Sequence, residues 1–147
     1  MKFEEFLALA RRETYAIPNG TPLGDDTSHM AFDQGPWRYR DRYAGLNPYG
    51  GQELVWFEDN VVWLKNYLAE VTSDVCALGD IYTFQRLALG QPDPDHLMRG
   101  PAELRDGRFR YKNHIAGDID RFKGEEFIYF DEQAVYHMIL HGGRVRD

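Results

Sequence analysis

Residues 32–45, FDQGPWRYRDRYAG, return 72 positions further on as residues 104–117, LRDGRFRYKNHIAG. After a one-residue insertion the correspondence resumes, with GQELVWFE at 51–58 against GEEFIYFD at 124–131. It continues through Val61-Val62-Trp63 against Ala134-Val135-Tyr136. Identical pairs include Gly35/Gly107, Arg38/Arg110, Tyr39/Tyr111, Gly45/Gly117, Glu53/Glu126 and Phe57/Phe130. Most other pairs exchange aromatic for aromatic, or acid for acid or amide. A series this ordered reads as an internal duplication, with units of about 1–74 and 75–147 inside one domain.

Each unit opens with a helical stripe. Phe3, Phe6, Leu7 and Ala10 recur at helical spacing, and Ile17-Pro18-Asn19-Gly20 breaks the run. Ile81, Phe84, Leu87 and Ala88 repeat the stripe, with Asp80 as the expected N-cap and Gly90 with Pro92 as the stop. The remainder of each unit alternates as strands do. Trp37, Tyr39, Asp41 and Tyr43 share one face of a strand, and Arg38, Arg40 and Arg42 share the other. A third strand, Glu53 to Glu58, turns at Asp59-Asn60 into a fourth from Val61 to about Tyr67. The second unit repeats them as a weak strand near Glu103-Leu104, then Phe109 to Ala116, Glu125 to Phe130 and Ala134 to His141. Its hairpin turn is read at Asp131-Glu132-Gln133. The fold class expected is α+β: a helix followed by four antiparallel strands, used twice. Together the units make one curved, mainly antiparallel sheet of eight strands with both helices on one face. Strand three is apolar on both sides, as Leu54/Trp56 and Val55/Phe57 show, so either the sheet coils enough to bury its second face or that face meets something.

Composition narrows the function classes. The chain has 147 residues with nine Phe, nine Tyr and three Trp, which argues for a real core and against disorder. A net charge of −7 speaks against nucleic acid and against an anionic membrane as partners. One cysteine, Cys76, allows no internal disulfide and is read as a small core or helix-edge residue. The acidic start, Met1-Lys2-Phe3-Glu4-Glu5, lacks the basic and apolar regions of a signal peptide, and no apolar run approaches the roughly 20 residues that span a bilayer. The expected location is cytoplasmic.

Residues 39–56, YRDRYAGLNPYGGQELVW, resemble an uncharacterised bacterial family of small domains found alone or behind a helix-turn-helix of the XRE repressor type. The likeness extends through Arg99-Gly100-Pro101, Gly117-Asp118-Ile119-Asp120 and Gly124-Glu125-Glu126 to His141-Gly142-Gly143. It implies an α+β domain without an established activity, placed at times where repressors carry a sensing or partner-binding module. With no helix-turn-helix ahead of the domain in this chain, direct DNA binding is not expected.

A feature present in both units is most simply something each unit needs to fold; one found in a single unit is freer to serve function. Asp41 and Asn113 occupy equivalent places and read as buried polar groups bonded to tyrosine hydroxyls or backbone. The ladder Arg38, Arg40, Arg42 with Arg108, Arg110 and Lys112 is expected to pair across strands with Glu53, Glu58, Glu125, Glu126 and Asp131, an anion or acidic partner being the alternative. The first unit's own surplus is aromatic: Tyr49, Trp56, Trp63 and Tyr67. These, rimmed by Arg42 and Glu53 and joined by His114, are the candidate ligand- or partner-binding residues. His137 and His141 sit four apart, which on a strand puts their backbones roughly 13 Å apart, too far for one zinc. Asp118-Ile119-Asp120 lacks the later ligands of a calcium loop. No phosphate loop, nucleophile elbow or CxxC pair is present, and no metal or cofactor is expected. The leading expectation is a non-enzymatic binding module, its small molecule or protein partner held on the sheet face opposite the helices. Alternatives are a small hydrolase or isomerase using Asp118, Asp120 and His137, and a structural domain that homodimerises.

Overall fold

The first apolar stripe forms helix α1 (Phe3–Tyr15), whose buried residues Phe3, Phe6, Leu7 and Ala10 are joined by Arg11, Thr14 and Tyr15. The second forms α2 (Leu78–Leu89), which buries Ile81, Phe84, Gln85 and Ala88. Leu87, expected on that stripe, is exposed, because Gln85 takes the buried position beside Phe84. The N-cap is Ala77 and makes no side-chain bond; Asp80, expected there, lies inside the first turn, where its charge still favours the helix N-terminus. Gly90 closes α2, its N–H donating to the Arg86 carbonyl at 3.0 Å. This computed structural model describes residues 1–15, 17, 19–91, 93 and 95–145. Pro18 and Pro92, read as helix stops, lie outside the described residues.

Nine strands follow in one antiparallel sheet: β1 (Thr21–Pro22), β2 (Ser28–Gln34), β3 (Trp37–Gly45), β4 (Tyr49–Phe57), β5 (Asn60–Val71), β6 (Glu103–Asp106), β7 (Phe109–Asp118), β8 (Arg121–Phe130) and β9 (Gln133–Arg144). Their spatial order is β1-β2-β3-β4-β5-β9-β8-β7-β6. The sequence gives no warning of β1. Its two residues pair with Ser28 and His29 across a loop closed by the Leu23 N–H on the Thr27 carbonyl, too short a strand to show a period. The β4–β5 and β8–β9 hairpins turn on Glu58-Asp59 and Asp131-Glu132, all four at positive φ, one residue earlier than the Asp59-Asn60 turn expected. Each hairpin carries a register shift at matching places, Val55/Trp56 and Ile128/Tyr129.

Register sorts the side chains into two faces. Tyr39, Val55 and Trp63 lie side by side on the first, as do Asp41, Glu53 and Lys65. Across the sheet the same face carries Ile128 beside Tyr111 and Glu126 beside Asn113. Phe6 of α1 stacks on Trp37 with ring centroids 5.4 Å apart, and Phe84 of α2 stacks on Phe109 at 5.0 Å. The second face carries the arginine ladder with Leu54, Trp56, Leu68, Phe127 and Ile139. Leu68 and Ile139, register partners at the centre of the sheet, are 63% and 57% exposed. The five arginines of the ladder are paired, Arg38 with Asp59, Arg40 with Asp33, Arg42 with Asp25, Arg108 with Asp131 and Arg110 with Glu132, while Lys112 makes no ion pair among the described residues. Of the acids expected in that role only Asp131 fills it among the described residues. Glu53 and Glu126 are in phase with Val55 and Ile128 and therefore point to the buried face. Among the described residues no helix is long and apolar enough to cross a membrane.

Candidate functional site

Two fully buried glutamates, Glu53 and Glu126, organise the buried face of the sheet. Glu53 Oε2 accepts from Lys65 Nζ at 2.9 Å and Arg11 Nη2 at 3.0 Å, and its Oε1 accepts from the hydroxyls of Tyr15 at 2.5 Å and Tyr39 at 2.8 Å. Glu126 accepts from Arg99 Nε at 2.8 Å, from Tyr111 at 2.5 Å, from Tyr136 at 2.8 Å and from Gln85 Nε2 at 3.2 Å. The Met98 carbonyl takes further bonds from Arg11 at 2.9 Å and Lys65 at 3.1 Å. Burial pushes the Glu53 carboxyl up, but Lys65, Arg11 and the tyrosine hydroxyls outweigh it and hold the group below the usual carboxylate range. Arg99 does the same for Glu126. Burial pulls Lys65 down and Glu53 pulls it back, with a net drift to about 7. Breaking such a set by removing one partner strands a buried charge, at a cost of about 3–5 kcal/mol.

At the edge of this network a cleft of about 200 Å³ opens, lined by Tyr15, Asp41, Tyr49, Tyr67, Tyr82 and Arg99 among others. Its tyrosines stand edge to face. The Tyr49 and Tyr67 rings are 6.1 Å apart at 66°, and Tyr49 and Tyr82 are 5.8 Å apart at 84°. Hydrogen bonds fix them: Tyr67 donates to Asp41 at 2.6 Å, Tyr82 to the Leu46 carbonyl, and Tyr49 shares a 2.8 Å bond with Tyr136 under Gln85. Asp41 is pushed up to about 6, first by burial and then by Glu53, against the pull of Tyr67, Lys65 and Arg99. A larger hollow of about 720 Å³ lies between α1 and the segment after α2, with Leu9, Leu89 and Leu97 in its wall. Glu4, Glu5, Arg12 and His96 also line it, but it lacks the ring of tyrosines that walls the smaller cleft, and Arg11 and Arg99 on its border are held by Glu53 and Glu126.

The residues selected from the sequence divide between the two faces. Tyr49 and Tyr67 line the cleft, and Glu53 lies beneath it. Trp63 is closed off between Phe3 and Phe122, its indole N–H donating to the Ile119 carbonyl at 2.9 Å. Arg42, Trp56 and His114 belong to the opposite face: Arg42 pairs with Asp25, Trp56 lies under Arg38, and His114 stands edge-on to Phe127. No single trough gathers all seven. Asp118 Oδ1 accepts the N–H groups of Asp120 and Arg121 in the β7–β8 turn, and Asp120 pairs with Arg144. His137 bonds Glu125 at 2.6 Å and stacks on Phe127. Arg121 registers with Gly143, six residues along β9 from His137, which is about 20 Å at ~3.3 Å per residue. The two aspartates and this histidine therefore do not share a site. Among the described residues no three His, Cys, Asp or Glu side chains gather as metal ligands.

Residues 41–145 match a family described as a domain of unknown function, DUF5680. The chain belongs to the DUF5680 family. The match agrees with the resemblance to a family without an assigned activity. No curated protein and no solved structure matches the chain. The matched part of this DUF5680 protein supplies Asp41, Glu53, Lys65, Arg99 and Glu126, while Arg11 and Tyr15 come from α1, ahead of it. The sequence reading missed Arg11, Tyr15, Tyr82 and Arg99 as site residues. It also passed over Lys65, although a signal existed: a lysine in phase with Trp63, Tyr67 and Ala69 is a charge on a buried face and demands a partner there.

Proposed function

We propose that this protein is a non-enzymatic binding module whose small-molecule ligand sits in the cleft walled by Tyr49, Tyr67 and Tyr82. The observation that carries this reading is the contrast between two buried glutamates whose oxygens are all occupied and an open, aromatic cleft at the edge of their network. Glu53 and Glu126 each have both oxygens occupied by donors, so neither is free to move a substrate proton. Rigid, hydrogen-bonded tyrosines beside a few convergent polar groups are what a small-ligand site requires. We locate the ligand here rather than on the opposite face because the arginines there are already paired with acids. The module is, in our reading, two copies of one helix-plus-four-strand unit fused across β5 and β9, with both helices backing the same face. Matched register shifts, matched turns and the Tyr39–Glu53 and Tyr111–Glu126 bonds support that view. The resemblance to domains placed behind repressor helix-turn-helix units suits a sensing role.

Thermal-shift screening with a metabolite library tests the reading. A ligand should raise the Tm of the parent protein and not that of Tyr49→Ala, while His137→Ala should respond as the parent does. Turnover of a library compound that disappears in His137→Ala would favour the hydrolase or isomerase instead. Sedimentation at several concentrations would expose a homodimer held by the Leu68–Ile139 face.

A further inference from the structure

Six ionisable side chains with opposite charges meet under the helices: Arg11, Lys65 and Arg99 against Glu53, Glu126 and Asp41. Five of them form ion pairs with one another. Arg11 and Lys65 both lie on Glu53, and Arg99 lies on Glu126. Asp41 is the exception. It is 5% exposed, its Oδ1 accepts from Tyr67, and no cation lies within salt-bridge reach of it among the described residues. Buried carboxylates are ordinarily paired with a cation, because desolvation without one is costly. Asp41 also lines the cleft, directly beside the tyrosines that form its walls.

We infer that the ligand of the cleft is a small organic cation, an amine or methylated ammonium, whose charged head pairs with Asp41 and packs against the faces of Tyr49, Tyr67 and Tyr82. This rests on the cleft being the binding site and adds its chemical class. Tyrosine rings set nearly perpendicular to one another offer more than one π-face to a single cation, and a cation against such faces is favoured further where water is excluded. Arg99 and Lys65 pull on the Asp41 carboxyl through space and lie 5.9 Å from the Tyr67 ring centre, but neither makes a direct pair with Asp41: Arg99 Nε and Nη2 are turned to Glu126 and its Nη1 to Tyr15, and Lys65 is held by Glu53. The other half of the sheet shows what the position needs for folding alone. There the equivalent residue is Asn113, whose Nδ2 donates to the Gly100 carbonyl at 3.2 Å and whose N–H donates to the Ala102 carbonyl at 3.0 Å. The Ala102 bond continues the β6–β7 ladder and Gly100 alone takes the side chain, so the position there holds a neutral amide whose Oδ1 has no partner among the described residues. The carboxylate thus belongs to the half that has the cleft. Its volume of about 200 Å³, below the ~300 Å³ at which drug-sized pockets begin, suits a compact head group.

Calorimetric titration with choline and n-butylamine, set against the neutral choline isostere 3,3-dimethylbutan-1-ol and against acetate, tests the inference. The expected result is millimolar or tighter binding of at least one ammonium compound and at least a tenfold preference over the isostere, about 1.4 kcal/mol. Asp41→Asn, with folding checked by circular dichroism, should abolish that preference, and Tyr82→Ala at the mouth of the cleft should weaken ammonium binding independently. Equal binding of ammonium and isostere, both lost in Tyr82→Ala, would overturn the cation while keeping the cleft. Acetate binding in place of ammonium, also lost in Tyr82→Ala, would do the same. No binding of any ammonium probe at millimolar concentration overturns the inference. Probe binding untouched by either substitution overturns the cleft as well.

Discussion

Asp41 is the residue at which folding and the proposed cation binding pull in opposite directions. Its carboxyl rises from 3.8 to about 6 on folding, chiefly through burial and then Glu53 on β4, with Tyr67 and Lys65 on β5 and Arg99 after α2 restraining the rise. Between about pH 4 and 6 the folded state therefore holds a proton that the unfolded chain has released. Stability contributed by this group falls as pH rises through that window, and by pH 7 the loss is about 3 kcal/mol. Asp41→Asn keeps an acceptor for Tyr67 and removes the buried charge, so the ligand-free variant should be more stable than the parent at pH 7. The two should draw level near pH 3.5. Urea midpoints at the two pH values check this, and a variant that loses stability at pH 7 would mean that Asp41 already has a cation.

Among the elements, the turn between β7 and β8 depends most narrowly on one residue. Gly117 has φ +98°, and a Cβ there would lie 2.1 Å from the Arg121 carbonyl oxygen. Gly107, in the β6–β7 turn, is also at positive φ, +58°, but has open space around it. Gly117→Ala should therefore cost well over the ~1–2 kcal/mol of left-handed backbone alone, and Gly107→Ala about that amount, as thermal melts would show. Both glycines are legible in the sequence because the 72-residue correspondence pairs Gly45 with Gly117 and Gly35 with Gly107. The strands are legible for a related reason: Trp37, Tyr39 and Asp41 against Arg38, Arg40 and Arg42 is an unambiguous period of two. Strand β4 is different. Leu54 and Trp56 are as apolar as Val55 and Phe57, so pattern alone does not say which pair faces the helices, and the side of Glu53 is lost with it. Arg99 lies beyond pattern altogether, in an aperiodic segment, and only tertiary contact brings it to Glu126. The cleft was half visible, through Tyr49 and Tyr67. Tyr15 and Tyr82 reach it from two helices that no local rule brings to the same cleft.

Across the whole molecule the two halves are tied in a way that should forbid separate melting. Strands β5 and β9 pair over nine register positions, from Trp63 with Arg144 to Val71 with Tyr136, and so join the halves through the middle of the sheet. The buried network crosses the same boundary. Arg11 and Lys65 of the first half both bond the Met98 carbonyl of the second, and the hydroxyls of Tyr49 and Tyr136 meet at 2.8 Å. If one half opened, Arg11 and Lys65 would lose an acceptor and Tyr49 its partner, and each such loss at a group that stays buried costs about 1–3 kcal/mol. Phe6→Ala in α1 and Phe84→Ala in α2 each remove a buried ring, a change worth about 3–5 kcal/mol. Each should lower the midpoint of one shared transition. Far-ultraviolet and near-ultraviolet circular dichroism should trace the same curve in the parent and in both variants. A second transition, moved by Phe6→Ala and not by Phe84→Ala, would mean that the halves stand alone and that the central strands and the Met98 carbonyl contribute little to joining them.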